Sequence, residues 1–427
     1  MTGPKTGGAA GLIASVVRTH SGLDLPVRLR AWDGSEAGPA DAPVVIAKTP
    51  RAVTRMLWRP GELGLARAYI SGDLEVEGDL TDGLRRMWTA IRSKPNNSRT
   101  APVPLLPQAS FALAALRAAA RLDLLRSPWP PPAPPDCELR VSGRRHSRAR
   151  DRAVIAGHYD VTAAFYQLIM DSSMAYSCAY WTSERPGYSL ADAQRDKLEM
   201  ICTKLGLQTG DRLLDMGCGW GSLTVHAARD YRARVTGVTL SGEKGGFVQQ
   251  RIRGLGLGAR AEVRIQDYRD PLEGRYDAAA SIEMGEHVGA ARYPKFCASL
   301  FRRLRPGGRL LIQQMSRAGR APGGGPFIES YITPDMTMRP VGETIALIEK
   351  AGFEVTGVQG MREHYVRTIR AWLDNFERNL PAVEKLLTPE QVRVWRLYLA
   401  GGALAFEEGR MGVDQILAVR PARRVHR

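Results

Sequence analysis

A glycine-rich turn is the first segment whose residue types and spacing could carry out chemistry. Gly217, Gly219 and Gly221 follow Asp215 in the run Leu214-Asp-Met-Gly-Cys-Gly-Trp-Gly221. Glycines in such a turn let the backbone approach a bound ligand closely. Their spacing differs from the G-x-G-x-x-G pattern of nicotinamide sites, and the sequence contains no P-loop motif. The turn therefore predicts a site for a different nucleotide-like cofactor.

Two later segments carry groups that suit the same cofactor. The second strand-like run leads into Val235-Thr-Gly-Val-Thr-Leu-Ser241, which would present groups to a ribose. Gln266 and Asp267 follow the next strand-like run, where amide and acid groups commonly contact an adenine amino group. Because the carboxyl ends of parallel strands share one edge of a sheet, we expect the three segments to meet there.

Alternating strand and helix signals would position these groups. From about residue 150 onward, the alternation predicts an α/β fold with a Rossmann-like, mostly parallel sheet and helices on both faces. The strand candidates are Arg212–Met216, Ala233–Val238, Ala261–Ile265, Tyr276–Ile282, Gly308–Gln314, Phe353–Val358 and Ile416–Val419.

The first part of the chain is expected to form a smaller, separate domain. It has strand-like runs at Val27–Trp32 and Pro43–Lys48 and a helical stripe at Phe111–Arg126. The stripe fits either a core-facing surface helix or an interfacial membrane helix. A Pro-rich run, 127–135, cannot continue a helix and predicts an extended linker. We therefore place an N-terminal domain at residues 1–135 and a catalytic domain at 136–427.

The charge of the chain favours an anionic partner. The chain has 60 basic and 44 acidic residues, which gives a net charge of +16. Nucleic acid, anionic lipid or an acidic protein would each fit this excess. The run Arg144–Arg152 holds five arginines and one acid, and it is either a solvated face or a contact for lipid phosphates.

Cysteine usage and hydropathy indicate an enzyme that works on the cytosolic side. The five cysteines show no CxxC or Cys/His spacing, so we expect reduced thiols and no metal site. No segment has the ~20 apolar residues of a spanning helix, and no signal peptide is evident. We expect a cytoplasmic protein that reaches a membrane, if it does, from the inner face.

Six motifs resemble the cyclopropane-fatty-acid-synthase family of S-adenosylmethionine (SAM)-dependent methyltransferases. They are His158-Tyr-Asp160, Tyr176-Ser-Cys178-Ala-Tyr-Trp181, Leu214–Gly221, Gly237-Val-Thr-Leu-Ser241, Glu286-His-Val-Gly289 and Tyr365-Val-Arg-Thr368. The N-terminal part resembles the smaller domain of the two-domain, phospholipid-acting members. The resemblance implies that a cis alkene in a phospholipid acyl chain attacks the methyl group of SAM, after which a bound bicarbonate removes a proton.

The resemblance also assigns roles to individual residues. Cys178 would hold the bicarbonate through its backbone, Tyr365 through its hydroxyl group, and Glu286 would orient it and stabilise the cation. Gln313 stands where the family has a bicarbonate-holding His, with Met315 two residues further on, and a Gln cannot titrate near neutral pH. The residues expected to bind SAM are Tyr176, Ser177, Asp215, Gly217, Gly219, Thr239, Leu240, Gln266 and Asp267.

Departures from the family pattern bear on the product. Gln313, Glu283-Met-Gly285 and Lys244 all differ from it, and together they resemble the actinobacterial branch linked to tuberculostearic acid. That branch converts an oleoyl phospholipid to a 10-methylene chain, which a separate reductase completes. Cyclopropane formation on the same substrate is the alternative. The resemblance is also compatible with a homodimer and with peripheral contact to anionic lipid.

Two other classes of function remain open from the residues alone. A methyltransferase for a soluble small molecule or a nucleic acid would need only the glycine-rich turn and the net positive charge. The family motifs make a nucleic acid substrate the less favoured of the two. A non-catalytic lipid-binding protein would bind SAM without turnover. The double-bond position, the lipid headgroup and the oligomeric state do not follow from the sequence.

Overall fold

A computed structural model describes residues 8–93, 131–158, 162–318 and 324–422. The predicted helical stripe at Phe111–Arg126 lies outside these ranges, as do Tyr159 and Asp160 of the first family motif. The chain divides into two compact units. Unit 1 comprises residues 1–138 with 389–401, and unit 2 comprises residues 139–388 with 402–427.

Unit 1 is built on a four-stranded sheet. Its strands are β1 (Arg28–Arg30), β2 (Glu36–Ala37), β3 (Val44–Ala47) and β4 (Leu74–Glu77). They lie in the order β2-β1-β3-β4, with β1 and β3 parallel and the other pairs antiparallel. Its helices are α1 (Ala9–Ser21), α2 (Arg51–Trp58), α3 (Glu62–Ile70) and α4 (Leu80–Arg92). The two strand-like runs of the N-terminal sequence thus contain β1 and β3.

The segment 389–401 belongs to unit 1, which the sequence did not suggest. Arg393 in this segment forms an ion pair with Glu75 at 2.5 Å, and its guanidinium lies over the ring of Tyr69, 5.3 Å from the centroid. A charge-assisted bond and a cation–π contact between residues more than 300 positions apart in the chain leave no local sequence signal.

Unit 2 contains a seven-stranded sheet. Its strands are β5 (Arg212–Met216), β6 (Arg234–Thr239), β7 (Ala261–Ile265), β8 (Tyr276–Ile282), β9 (Leu304–Ser316), β10 (Glu354–Gly360) and β11 (Gly412–Val419). They lie in the order β10-β11-β9-β8-β5-β6-β7. The five strands from β9 to β7 are parallel. All seven predicted strands are present, and the Rossmann-like sheet is confirmed.

Helices cover both faces of this sheet. They are α5 (Arg148–His158), α6 (Ala163–Ile169), α7 (Leu190–Leu205), α8 (Ser222–Asp230), α9 (Gly242–Gly254), α10 (Tyr293–Arg303), α11 (Pro326–Tyr331), α12 (Val341–Lys350), α13 (Arg362–Arg378), α14 (Leu380–Val383) and α15 (Pro389–Glu407), which begins in unit 1. None of the helices in the described ranges is long and apolar enough to cross a bilayer.

Two neighbouring residues of β5 show how the core is divided. Leu213 belongs to a buried cluster with Ile201 of α7 and Val248 of α9, whereas Leu214 belongs to a second cluster with Phe296 of α10. Successive side chains of a strand point to opposite faces, so each face of the sheet has its own apolar layer. This burial on both faces explains why the central strands β5 and β8 are buried over most of their length.

Strand β11 lies between β9 and β10 and is antiparallel to both. Gln415 of β11 is in register with Gln313 of β9 and with Gln359 of β10. Gln313 in turn stands opposite Ile282, the last residue of β8. Side chains directly opposite on neighbouring strands are close enough to bond. A row of three glutamines therefore crosses the sheet toward the carboxyl end of β8.

The basic run Arg144–Arg152 is partly neutralised within unit 2. Arg145 and Arg150 both pair with Asp335, and Arg148 pairs with Asp270 at 2.6 Å. These pairs consume part of the positive charge that the sequence offered to a lipid surface.

Candidate active site

The glycine-rich turn joins β5 to α8 with a backbone that glycine readily adopts. Gly217, Gly219 and Gly221 have φ angles of 87°, 53° and 81°, the left-handed region that other residues rarely adopt. The N–H groups of Gly217 and Cys218 donate to the carbonyl of Val238 at 3.0 and 2.9 Å, which ties the turn to β6. A Cβ added to Gly219 would meet no described atom within 4 Å apart from its chain neighbours. The turn thus leaves space for a ligand at Gly219.

Asp215 lies at the carboxyl end of β5 and is buried. Its Oδ2 accepts a hydrogen bond from Thr224 Oγ1 at 2.7 Å, which ties the strand to α8. Burial raises the pKa of Asp215 to about 6, while the Thr224 bond and the charge of Lys197 oppose that rise. The contact described for Asp215 is therefore internal to the turn, and its contact with the cofactor stays a prediction.

The predicted ribose and adenine residues lie at the ends of β6 and β7. Thr239 is buried and Leu240 half-buried, and the Gln266 N–H donates to the Thr239 carbonyl at 3.0 Å. Asp267 accepts from the backbone N–H and the Nε of Arg269 at 2.9 and 2.6 Å. Burial alone would raise the pKa of Asp267, but these bonds outweigh it and hold the pKa below its ordinary value. All four residues lie at the same edge as the turn, with the Asp267 carboxylate already bonded.

The segment expected to hold the methionine end of SAM contains a charge that the sequence did not reveal. The ring of Tyr176 stacks on Trp372, with centroids 5.1 Å apart. Ser177 Oγ accepts a hydrogen bond from Lys197 Nζ at 3.0 Å, and Lys197 is only 1% exposed. Burial lowers the pKa of Lys197, and the charge of Glu283 counteracts that effect. A lysine in an amphipathic helix gives no sequence signal of such burial.

Three of the predicted catalytic residues converge on one carboxylate, that of Glu283. Its Oε1 accepts from the backbone N–H of Cys178 at 2.8 Å and from Gln313 Nε2 at 2.8 Å. Its Oε2 accepts from the Tyr365 hydroxyl at 2.6 Å. Glu283 was noted in the sequence as a departure from the family pattern and was not assigned a role. The structure thus brings Cys178, Gln313 and Tyr365 together around a residue that sequence reasoning missed.

A chain of hydrogen bonds fixes the orientation of the Gln313 amide. Lys204 Nζ donates to Gln415 Oε1 at 2.6 Å, Gln415 Nε2 donates to Gln313 Oε1 at 2.9 Å, and Gln313 Nε2 donates to Glu283. An ammonium group can only donate, so each amide in the chain must accept on one side and donate on the other. Gln313 therefore always presents a donor to Glu283.

The environment of Glu283 combines burial with bonds that favour the ionised form. Burial raises the pKa of Glu283, while the bonds from Tyr365, Cys178 and Gln313 and the charge of Lys197 oppose that rise. Residue 283 as a whole is half-buried. The side chain of Met284, the next residue, would lie 2.8 Å from a Cβ added to Gly217, so this part of the chain adjoins the cofactor turn.

The Cys178 segment is held in place by helix α13. Thr368 Oγ1 accepts from the Ala179 N–H and from the Trp181 indole N–H, each at 3.1 Å. The Trp181 N–H donates to His364 Nδ1 at 3.1 Å, so His364 is an acceptor within the fold. Burial raises the pKa of the Cys178 thiol well above its ordinary value, which keeps it a thiol rather than a nucleophilic thiolate. Two motifs that resemble the family thus bind each other through these bonds.

Glu286 and Met315 form a second, separate pair. Glu286 is fully buried, and its Oε1 accepts from the backbone N–H of Met315 at 2.6 Å. Burial, helped by the negative charge of Glu283, raises the pKa of Glu286 to about 8. At pH 7 Glu286 is therefore mostly a neutral acid. The negative charge that we expected it to supply toward a cation is present mainly above pH 8.

The residues present do not fit a bound bicarbonate. Cys178, Tyr365 and Gln313 were expected to hold it, and each already donates to the Glu283 carboxylate. A bicarbonate ion would have to displace the Glu283 carboxylate from these donors. That carboxylate is also an anion, and its attachment to the backbone holds it in place. The expectation of bicarbonate at these three residues is therefore not met.

Comparison with known proteins agrees with the fold and shows the family. The sequence profile described as mycolic acid cyclopropane synthetase matches residues 146–416. A probable fatty acid methyltransferase of Pseudomonas putida is 36% identical over 420 residues, which cover 96% of both chains. A tuberculostearic acid methyltransferase of Mycobacterium tuberculosis is 30% identical over 425 residues, 96% of this chain and 92% of that protein.

A solved structure gives the same result for the catalytic part. The mycolic acid cyclopropane synthase CmaA1 in complex with SAH and CTAB superposes with a TM-score of 0.59 and 30% identity. The match covers 63% of this chain and 98% of that one. These similarities support SAM as the cofactor, and its binding at the glycine-rich turn and the neighbouring strand ends stays a prediction.

Proposed function

Because the chain belongs to the mycolic acid cyclopropane synthetase family and is a SAM-dependent lipid methyltransferase, we propose that it methylates the cis double bond of an unsaturated phospholipid acyl chain. The observation that carries this proposal is the polar cluster around Glu283, which adjoins the cofactor turn through Met284 and Gly217. An alkene needs no base before methyl transfer, but it must lose a proton afterwards. An acceptor carboxylate next to the cofactor meets that requirement.

The residues of the site must align the substrate with SAM, exclude water and accept a proton after methyl transfer. SAM supplies an electrophilic methyl group, and an alkene is a poor nucleophile for it, so the protein must align the two and exclude water. The bonds from Thr368 and His364 hold the Cys178 segment in place beside the cofactor turn. After transfer, the acyl chain carries a cation, and a proton must leave the new methyl group.

We propose a 10-methylene chain as the product, with an oleoyl phospholipid as substrate. The relative that acts as a tuberculostearic acid methyltransferase supports this choice. So does Gln313, whose amide cannot titrate. In this outcome a hydride shift precedes the loss of the proton, and a separate reductase would then complete the methyl branch. Ring closure to a cyclopropane is the alternative product of the same cation.

One incubation tests both the acceptor and the product. We expect transfer of radiolabel from methyl-labelled SAM to oleoyl phospholipid vesicles and, by proton NMR of the extracted lipid, exo-methylene signals. Cyclopropane signals in their place would overturn the product but keep the acceptor. Absence of label from the lipid would overturn the acceptor and favour a soluble small molecule.

We further propose that unit 1 brings the enzyme to the inner face of the membrane. Leu57 and Trp58 at the end of α2 are 37% and 46% exposed, and the exposed Arg51 and Arg59 are the first residue of this helix and the residue directly after it. Exposed apolar and aromatic groups beside cations suit an anionic bilayer interface. A homodimer formed through the same unit is the alternative role.

Replacing Leu57 and Trp58 with serine should weaken binding to anionic oleoyl vesicles at least tenfold. Each large apolar side chain contributes about 1.5–3 kcal/mol when it leaves water, and 1.4 kcal/mol is a factor of ten. Vesicle sedimentation measures the effect. Leu386→Ser in unit 2, where Leu386 is 45% exposed, serves as the matched control. Equal weakening in both variants would remove α2 from membrane binding, and a changed oligomeric state would favour the dimer.

A further inference from the structure

We propose that the carboxylate of Glu283 is itself the general base of the reaction and takes the place of a bound bicarbonate. The inference rests on the proposed methylation of an alkene and names the group that receives the proton. It follows from the donors that surround Glu283 and from the position of Glu283 at the carboxyl end of β8.

The hydrogen-bond donors leave one oxygen of Glu283 available for a proton. Oε1 accepts from two N–H groups, those of Cys178 and Gln313. The Lys204–Gln415–Gln313 chain prevents the amide from turning to present its oxygen. Oε2 has the Tyr365 hydroxyl as its described partner, and a hydroxyl can either donate or accept. Oε2 is therefore the atom that can become protonated, because the Tyr365 hydroxyl can then accept from it, whereas the two N–H groups at Oε1 can only donate.

The proton and the electrons balance without a further reactant. The alkene π electrons form the new C–C bond to the methyl carbon, and the C–S bond breaks with its electron pair on sulfur. In the 10-methylene route, a hydride shift then moves the positive charge to the carbon that bears the new methyl group. Oε2 of Glu283 takes a proton from that methyl group, and the C–H electrons form the exo-methylene double bond. The resulting carboxylic acid returns its proton to solvent before the next turnover.

The backbone of Glu283 is consistent with a functional position. Its φ angle is 50°, in the left-handed region that a glutamate adopts only at an energetic cost. Its own N–H donates to the Gln313 carbonyl at 2.6 Å, so residue 283 is bonded to Gln313 through both backbone and side chain. These bonds hold the carboxylate at the meeting point of the three donors.

The charge balance around Glu283 also suits a base. Lys197 is the buried cation that acts on it, and Asp215 and Asp171 act on Lys197 in turn. Glu286 lies close enough for Glu283 to raise its pKa and is itself mostly neutral at pH 7. The charge of Lys197 and the three hydrogen bonds favour the ionised form of Glu283, while burial keeps the pKa of Glu283 above that of an exposed glutamate. A raised pKa makes a carboxylate a stronger base.

Two variants of the full chain separate a built-in base from a bound one. Glu283→Gln keeps the size and the backbone of the residue but removes the base. Glu283→Gly suits the left-handed backbone and opens a space that Cys178, Gln313 and Tyr365 still face with their donors. Turnover would be measured with oleoyl phospholipid vesicles in CO2-free buffer, with and without sodium bicarbonate, and SAM affinity by calorimetry.

The wild-type enzyme should be equally active with and without bicarbonate. Glu283→Gln should lose about 10²–10⁴-fold in kcat in both buffers while keeping its SAM affinity. Glu283→Gly should lose as much in CO2-free buffer and regain activity with bicarbonate. Wild-type activity that requires bicarbonate, a Glu283→Gln variant with normal kcat, or a Glu283→Gly variant that binds SAM but is not rescued would each overturn the inference. A wild-type enzyme that labels no lipid in either buffer refutes the proposed function instead.

Discussion

Replacing Gly219 with alanine is expected to weaken SAM binding at least tenfold while the protein stays folded. Gly219 has a φ angle of 53°, and its Cβ would project into the space left by the described residues, where we place the cofactor. A left-handed alanine costs about 1–2 kcal/mol of stability, which a domain of this size tolerates. Calorimetric titration with SAM measures the affinity, and thermal unfolding measures the stability.

Gly210→Ala provides the matched control. Gly210 also has a left-handed backbone, with a φ angle of 88°, and an added Cβ would likewise have no neighbour within 4 Å in the described chain. It lies before β5, on the side of the strand away from the turn. The control should show the same loss of stability with normal SAM affinity. If both variants bind SAM equally, the space at Gly219 is not used by the cofactor.

Replacing Tyr365 with phenylalanine should lower kcat about 10²-fold. The change removes the hydroxyl that donates to Oε2 of Glu283 at 2.6 Å and positions this carboxylate, and a misplacement by about 1 Å can cost about 10²-fold. The ring would keep its packing against Phe406, 4.6 Å away between centroids. SAM affinity should not change, since the hydroxyl bonds to Glu283, which is not among the residues expected to bind SAM.

The pH dependence of this variant distinguishes a direct role from a structural one. The Tyr365 bond lowers the pKa of Glu283, so its removal raises that pKa, and the ionised base appears only at higher pH. The acidic limb of the kcat profile should therefore move to higher pH. Tyr293→Phe is the control, because it removes a buried hydroxyl that donates to Gln314 at 2.6 Å. That control should lose about 1 kcal/mol of stability with an unmoved pH profile; a limb that also stays in place for Tyr365→Phe would contradict the role.

The elements of the catalytic unit could be predicted because their signals are local. A parallel strand such as Arg212–Met216 is buried over four of its five residues, its leucines and methionine give an apolar signal, and the glycines after it mark the turn. The predicted ends of β6 and β9 are off by one to four residues, since strand ends depend on partners elsewhere in the chain. The fold of the N-terminal part was less clear, and the inclusion of segment 389–401 in unit 1 had no signal at all.

The site could be predicted in part. Cys178, Gln313 and Tyr365 were predicted as catalytic residues, and the structure brings them together, while their roles stay predictions. Glu283 was visible only as a break in the family pattern, and the break had a physical meaning. A carboxylate at 283 and an amide at 313 are complementary, because the amide donates the hydrogen bond that the carboxylate accepts. Positions 283 and 313 both depart from the family pattern, and their side chains can hydrogen-bond to each other. That coincidence is the sequence signal from which the pair could have been predicted.

Other parts of the site depend on pairing that no local pattern encodes. Gln415 reaches Gln313 because β11 and β9 pair in one particular antiparallel register, and a shift of one residue would turn the side chain to the opposite face. Lys204 and Lys197 lie on the same helix, α7, and reach the site from different positions along it. Such contacts require the full tertiary structure.

The position of β11 has a consequence for how the enzyme is made. Of the seven strands, β11 is the last to be synthesised, yet it lies between β9 and β10. Until residues 412–419 leave the ribosome, β9 presents an open edge to which other chains can add. The glycine-rich turn between β5 and α8 can form before then, but Gln415 cannot yet orient Gln313. Under the proposed role of Glu283, a nascent chain acquires the glycine-rich turn before Gln415 fixes the donor that faces the base, and we expect methyl transfer only after the last strand has inserted.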